Sequence, residues 1–438
     1  MSPFARARVF FLPKLHQIWH FLTKQGIAVV GNLVYGLLCV RILPIADYAK
    51  FAVLFGYMGS LTVLLDVGVN GTLAPLVGEQ IGNLPLIANY VASIRQLILR
   101  LYLIVAPLAG LGFLLLVRKQ HWGIVVEAQM LGALLVTAWF ARVSSSYGSV
   151  LLLRRDRSRY YRIQILASLG SLGLLLVFWL LHRMNLYVAI LLNVGQVAFL
   201  ATGYYMRARQ LLGVKGHSDT EQRKAIARLA LPNVPNSVFY ALQGQIMLIL
   251  ITLFGHNASS VANVGALARL GQILVFVSQM NVILVEPFFA KLPEPRLRRV
   301  YLTAAALVVL CSAAYTGLAF GFPGVFLWVL GPKYSELRLE VGLMVLSSAM
   351  HYVAAFMWVI HTARRFVYGW LNMTQIAVTL VVQAVIIWRF DLSTVRNVLF
   401  FNIATGAVTL LVTVAVGIYG FWHGPQTMEH IRPESDPA

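Results

Sequence analysis

The sequence predicts an all-α polytopic membrane protein, with twelve transmembrane helices in two pseudo-symmetric six-helix bundles. Three observations carry that expectation. Hydrophobic residues make up 59% of the 438 and charged residues only 11%, with a mean hydropathy of +0.77, whereas about 25% of an ordinary soluble domain is charged. Apolar runs of the roughly 20 residues needed to cross a hydrocarbon core recur along the whole chain. Basic residues crowd alternate segments between those runs, as the positive-inside rule requires. Soluble enzymes, fibres, disordered tails and disulfide scaffolds are thereby excluded. An outer-membrane barrel is excluded too, because its strands alternate apolar and polar residues.

The elements follow in order. The segment from Pro3 to Phe21 is basic and aromatic, and reads as an interfacial helix on the inner leaflet. Pro13 and Lys14 interrupt it and no small-residue cleavage site follows, so it is not expected to be a cleaved signal peptide. Apolar runs then occupy 22–42, 48–67, 97–117, 128–152, 163–181 and 187–206, and again 232–254, 261–285, 301–321, 341–361, 368–388 and 397–420. The longest polar connections, 68–96, 207–231 and 286–300, are too short for a separate soluble domain. The run Arg154–Arg162 has aromatic interleaving that could mimic a nucleic-acid contact, but between two spans it reads as a topology determinant, and no nucleic-acid partner is expected.

With the N-terminus inside, 24 basic residues fall on the cytoplasmic side, Arg95 and Arg100 among them, against nine on the other. Arg142 and Arg269 remain inside spans. The net charge of +20 is accounted for first by anionic lipid headgroups. Both termini are expected in the cytoplasm, with the chain in a bacterial inner membrane. The long basic connection suggests bundles at 1–206 and 232–422, a linker at 207–231 and a polar tail at 423–438. A weak repeat agrees: Asn70 to Pro75 closes the second run as Asn281 to Pro287 closes the eighth. Inverted or parallel repeats of this kind build many transporters.

Little suggests metal or redox chemistry, and no cofactor is expected. Cys39 and Cys311 stand alone, and His16 and His20 share a helix face without a third ligand. The acidic residues on the outer side, Asp47, Glu127, Glu336, Glu340 and Asp391, are scattered and unpaired. A polymerase, ligase or glycosyltransferase needs acid–base carboxylates or a metal there. A transporter rather than an enzyme is therefore expected.

Two stretches carry a resemblance. Cys39–Leu54 (CVRILPIADYAKFAVL) and Leu64–Glu79 (LLDVGVNGTLAPLVGE) resemble the opening of bacterial polysaccharide flippases of the O-antigen type, within the multidrug/oligosaccharidyl-lipid/polysaccharide exporter superfamily. The matching positions are Arg41, Asp47, Tyr48, Asp66 and Gly68; Pro44 and Ala49 stand where that family usually has glycine. Gly265–Leu292 and Leu330–Leu337 are similar to its eighth span and to the external turn before its tenth. The resemblance implies a V-shaped, alternating-access flippase. It would move polyprenyl-diphosphate-linked oligosaccharide to the outer leaflet for exopolysaccharide or O-antigen synthesis, in contact with membrane lipids and alongside polymerase and chain-length proteins. It also likens Arg269 to a cavity arginine of the related lipid II flippase, whereas that protein's span-one cations are Gly31 and Asn32 here.

Candidate site residues follow from polarity within apolar runs. A mid-span arginine costs about 2.5–3.5 kcal/mol by insertion scales, so Arg269 and Arg142 should each face a cavity or a partner. Either receives an anionic group or locks helices together. Lys24, Gln25 and Asn32 in the first span, with Gln243 and Gln245 in the seventh, are candidate cavity-lining groups; snorkelling or interhelical hydrogen bonds are the plainer reading. Asp66 and Glu286 close spans two and eight, and either couple ion movement or cap and pair locally. A drug–cation antiporter of the same superfamily is the alternative function, and would call for carboxylates where this chain has arginines.

Overall fold

A computed structural model describes residues 26–78 and 80–424 of the chain. The described residues are helical throughout, joined by short turns, without a β-strand. Ten helices are long and apolar enough to cross a membrane, and eleven if one bent pair counts as a single span. Each of the twelve apolar runs falls on one of these or on the shorter α1, Gly26–Ile42, whose preceding residues lie outside the described part.

The chain divides into two compact units at Ala266/Leu267. In the first, α1 is followed by α2 (Ile45–Asp66), a short α3 (Leu73–Val77), α4 (Leu84–Arg118), α5 (Ile124–Leu153), α6 (Arg157–Leu180) and α7 (Leu186–Leu212). A connecting α8 (Thr220–Ala230) leads to α9 (Val234–Gln243) and α10 (Ile246–Phe254), which meet at a 53° bend. Compactness thus divides later than the repeat-based boundary after residue 206. The reason is local: α9 and α10 pack against α2 of the first unit. Within the stretch 207–231, expected as a polar linker, lie the end of α7 and the whole of α8. That helix lies on α4 through Ser93 Oγ donating to Gln222 Oε1 at 3.0 Å and Arg223 donating to Gln96 Oε1 at 2.5 Å. At Gly216 the connection presses so closely on the carbonyl of Ala88 that a Cβ would overlap it.

The second unit begins within α11 (Ala258–Ala290) and continues through α12 (Glu294–Gly321), α13 (Pro323–Leu330), α14 (Arg338–Ala363), α15 (Gly369–Arg389) and α16 (Val395–His423). α14 is the central element, packed on α12, α13 and α16.

Each unit has an apolar cluster close to its basic turns. In the first it gathers Val67, Leu73, Ile87, Ile94, Tyr147, Val150, Tyr204 and Ile226; in the second, Phe289, Leu297, Tyr301, Phe356, Ile360, Phe366 and Val416. A shared turn closes both. α5 ends with Arg155 in the left-handed region at φ 58°, and the amide of Asp156 donates to Leu151 O at 2.9 Å. α14 ends with Arg365 at φ 58°, and the amide of Phe366 donates to His361 O at 2.8 Å. In both, this Schellman arrangement satisfies carbonyls the helix end leaves open. The preceding arginine reaches across to an earlier turn each time: Arg154 donates to Ile81 O at 2.6 Å and Arg364 donates to Leu292 O. The same device at corresponding places is a stronger repeat than the Asn–Pro pattern.

Candidate functional site

Two arginines meet in the first unit at one depth. α4 starts at Leu84, where the side chain of Asn83 accepts the amide of Leu86 at 3.1 Å and Pro85 fits the first turn. Arg95 therefore stands about 16 Å along α4, at 1.5 Å per residue. Arg142 stands about the same distance before the end of α5. The polar connection expected over 68–96 had placed Arg95 in a cytoplasmic loop. The structure corrects this, because the helix begins at Leu84, well before its most apolar stretch.

Aromatic rings hold both guanidinium groups. That of Arg142 lies 3.9 Å over the centre of the Trp139 ring, and that of Arg95 lies 5.4 Å over Tyr147. Tyr102 meets Trp139 edge-on at 5.5 Å, and Tyr205 meets Tyr147 edge-on at 5.1 Å. Such stacking offsets about 0.5–2 kcal/mol of a cation's desolvation. It leaves the N–H edges open. Arg142 Nε is buried without a hydrogen-bond partner among the described residues. The charge of Arg95 acts against that of Arg142, and neither arginine has a salt bridge among the described residues. Arg95 and Tyr205 are exposed on this unit and Arg142 is half-buried beside them. The neighbouring serines are committed elsewhere: Ser144 donates to Ala141 O at 2.9 Å and Ser146 to Arg142 O at 3.1 Å.

Asp66 has local partners. Its Oδ1 accepts the amide and the side-chain Nδ2 of Asn70, both at 3.0 Å, and its Oδ2 accepts Ser145 Oγ at 3.3 Å. Asn70 Nδ2 also donates to Ser145 Oγ at 2.8 Å. The carboxylate thus closes the turn after α2, where Val67 and Gly68 take positive φ values of 35° and 82°, and ties it to α5.

Asn32 joins three helices. Its Oδ1 accepts Ser168 Oγ of α6 at 3.1 Å and Gln196 Nε2 of α7 at 2.7 Å. Gln243 and Gln245 flank the bend between α9 and α10, and Gln245 fills the space over Gly56 of α2, where a Cβ would lie 2.6 Å from its Oε1. Lys24 and Gln25 lie outside the described residues.

In the second unit Arg269 is 5% exposed and donates to Gln272 Oε1 at 3.3 Å, one turn further along α11. Glu286 is half-buried near the end of the same helix, directly before Pro287. Other buried polar groups pair with one another: Asn402 Nδ2 donates to Ser347 Oγ at 2.6 Å, and Tyr301 and His361 share a hydrogen bond of 3.1 Å. Structure and sequence agree that Arg142 and Arg269 are buried or half-buried cations within spans. The structure brings Arg142 together with Arg95, which hydropathy had missed; the apolar spacing of Leu84, Ile87, Ala88, Val91, Ile94 and Ile98 is the signal that reveals it.

No known family profile and no curated relative matches the chain. Solved structures do. One is an inward-facing multidrug resistance MATE family transporter of the MOP superfamily, 14% identical, with a TM-score of 0.68 over 90% of this chain and 93% of its own. A second is a MATE protein in the bent conformation, 13% identical, TM-score 0.59, covering 92% and 94%. A third is a MOP superfamily transporter from Pyrococcus furiosus, described as having a binding pocket of reverse polarity that suggests a different function; it is 14% identical, TM-score 0.55, over 91% and 92%. What this chain shares with them is the MATE transporter fold.

Proposed function

We propose that the protein is a flippase that carries polyprenyl-diphosphate-linked oligosaccharide repeat units from the cytoplasmic to the outer leaflet of the inner membrane, for cell-surface polysaccharide synthesis. The observation that carries this reading is the Arg95–Arg142 pair: two mutually repelling cations, stacked on aromatic rings and without a carboxylate partner among the described residues. An arginine turned to acyl chains is costly, so the face bearing both is turned toward a polar path. A diphosphate brings at least two charges there and acceptors for guanidinium forks. Its binding relieves the repulsion and gives Arg142 Nε the acceptor it lacks. The exposed rings of Trp139 and Tyr205 offer apolar faces to sugar. Arg269, within the second unit, is a further candidate for the acidic part of the same substrate.

The second reading is drug or cation export, favoured by the descriptions of the multidrug transporters that share the fold. Asp66, which reaches α5 through Ser145, is already bonded to Asn70 and Ser145, and the free charge of this site is positive. Sign therefore separates the two readings. Proteoliposomes containing the full chain are supplied with a fluorescent polyprenyl-diphosphate sugar or with a lipophilic cationic dye. Translocation of the first and not the second supports the flippase; dye transport driven by a proton or sodium gradient, with no lipid translocation, establishes the exporter instead.

A further inference from the structure

The opposite end of the first unit carries a feature the arginine pair does not use. A cavity of about 320 Å³ lies between the start of α2, the turn after α4 and the turn before α11. Lys50, Lys119, His121 and His256 all line it, with Trp122, and none of the lining residues is acidic. The sequence puts only nine basic residues on this side of the membrane, so two of them at one cavity is a concentration of charge. The nearest carboxylate that the structure pairs with any of them is Asp47, 3.4 Å from the Lys50 ammonium. Lys119 has no such partner among the described residues.

The walls are built rather than loose. Gln120 Nε2 donates to Thr252 O at 2.8 Å and to Gly255 O at 3.4 Å, bolting the turn after α4 to the end of α10. The residue next to that bolt, His121, adopts the left-handed region at φ 51°. Outside glycine this conformation is uncommon and persists where its surroundings hold it. His256 follows Gly255 directly. One clamp thus sets both imidazoles on the same cavity.

We propose that this cavity is an anion site for a phosphate group, borne either by a lipid headgroup of the facing leaflet or by free phosphate, with the ammonium groups of Lys119 and Lys50 and the ring N–H groups of His121 and His256 as its donors. Trp122 provides an amphipathic wall of the kind found at membrane–water boundaries. The volume admits a phosphate with several waters, each occupying about 30 Å³. The site is separate from the arginine pair and does not depend on the flippase reading.

The test uses the purified full chain in detergent, titrated calorimetrically with inorganic phosphate against sodium chloride of equal ionic strength. Saturable binding of phosphate, which chloride does not reproduce, is expected. Lys119→Gln combined with His121→Gln and His256→Gln should remove this binding, while Arg299→Gln, at an exposed position of α12, should leave it intact. If the triple variant does not purify, His256→Gln alone, at an exposed turn, should weaken phosphate binding severalfold. In nanodiscs, competition by phosphatidylglycerol but not phosphatidylcholine identifies the headgroup as the source; phosphate binding indifferent to lipid identifies the free ion. Non-saturable binding in the wild type, or a triple variant that binds as the wild type does, overturns the site.

Discussion

Replacing Arg142 with methionine should move stability and transport in opposite directions. The guanidinium rests 3.9 Å over Trp139, but its Nε is buried without an acceptor among the described residues. The stacking contributes about 0.5–2 kcal/mol, whereas an orphaned buried donor costs about 1–3 kcal/mol. Methionine keeps an apolar stem on the indole and removes the orphan donor, together with the repulsion from Arg95. Net stability should therefore be unchanged or rise by about 1–2 kcal/mol. Substrate binding loses a charge-assisted hydrogen bond of about 1.5–3 kcal/mol, which is roughly a ten- to hundredfold loss in affinity. The assay pairs thermal unfolding of the purified variant with translocation of the fluorescent polyprenyl-diphosphate sugar. An arginine kept to lock helices behaves in the opposite way: the variant melts earlier and transports normally. That outcome would refute the argument.

Three further expectations are open to direct measurement. Arg269→Ala should sharply reduce surface polysaccharide while the protein accumulates normally, with Arg269→Lys retaining part of the activity and Arg299→Ala near wild type; normal export by Arg269→Ala removes that residue from the substrate path. Asp66→Asn can still accept the Asn70 amide and should transport as wild type, while Asp66→Ala opens the turn after α2 and should destabilise by about 1.5–3 kcal/mol, the scale of a bond to a charged group; loss of transport in a stable Asp66→Asn protein assigns the carboxylate to ion coupling. Single cysteines at Lys119, His256 and Lys333 should react with an impermeant reagent added outside cells, and those at Arg157 and Arg209 should not; external labelling at Arg157 reverses the orientation.

Hydropathy read the helices well and their polar extensions poorly. Among the described residues every apolar run is helical, the run 232–254 in two pieces, because burying a backbone in lipid leaves few alternatives to a helix. The first thirteen residues of α4 were missed, since Leu84–Gln96 is amphipathic and owes its order to Asn83 and to contacts from α8. Those contacts join residues more than 120 positions apart, and no local pattern carries them. The same gap hid Arg95, so the site was legible only as a lone Arg142. Asn32 was legible as polar and membrane-embedded, but its partners Ser168 and Gln196 depend on how α1, α6 and α7 meet. The bend between α9 and α10 leaves a trace in sequence, Gly244 between two glutamines, without revealing its angle.

The paired arginine turns also determine where motion inside each unit can originate. Arg154 fastens the end of α5 to the chain at Ile81, and Arg364 fastens the end of α14 to the chain at Leu292. A displacement of either helix along its axis drags the connected loop with it, as a connecting rod drags a crank. In the first unit that rod is the helix bearing Arg142, so force applied where a ligand would touch the guanidinium reaches Ile81 through about three turns of continuous helix. The compliant joints must then lie elsewhere, and the 53° break before Gln245 is the place in the first unit where the backbone ladder is already interrupted.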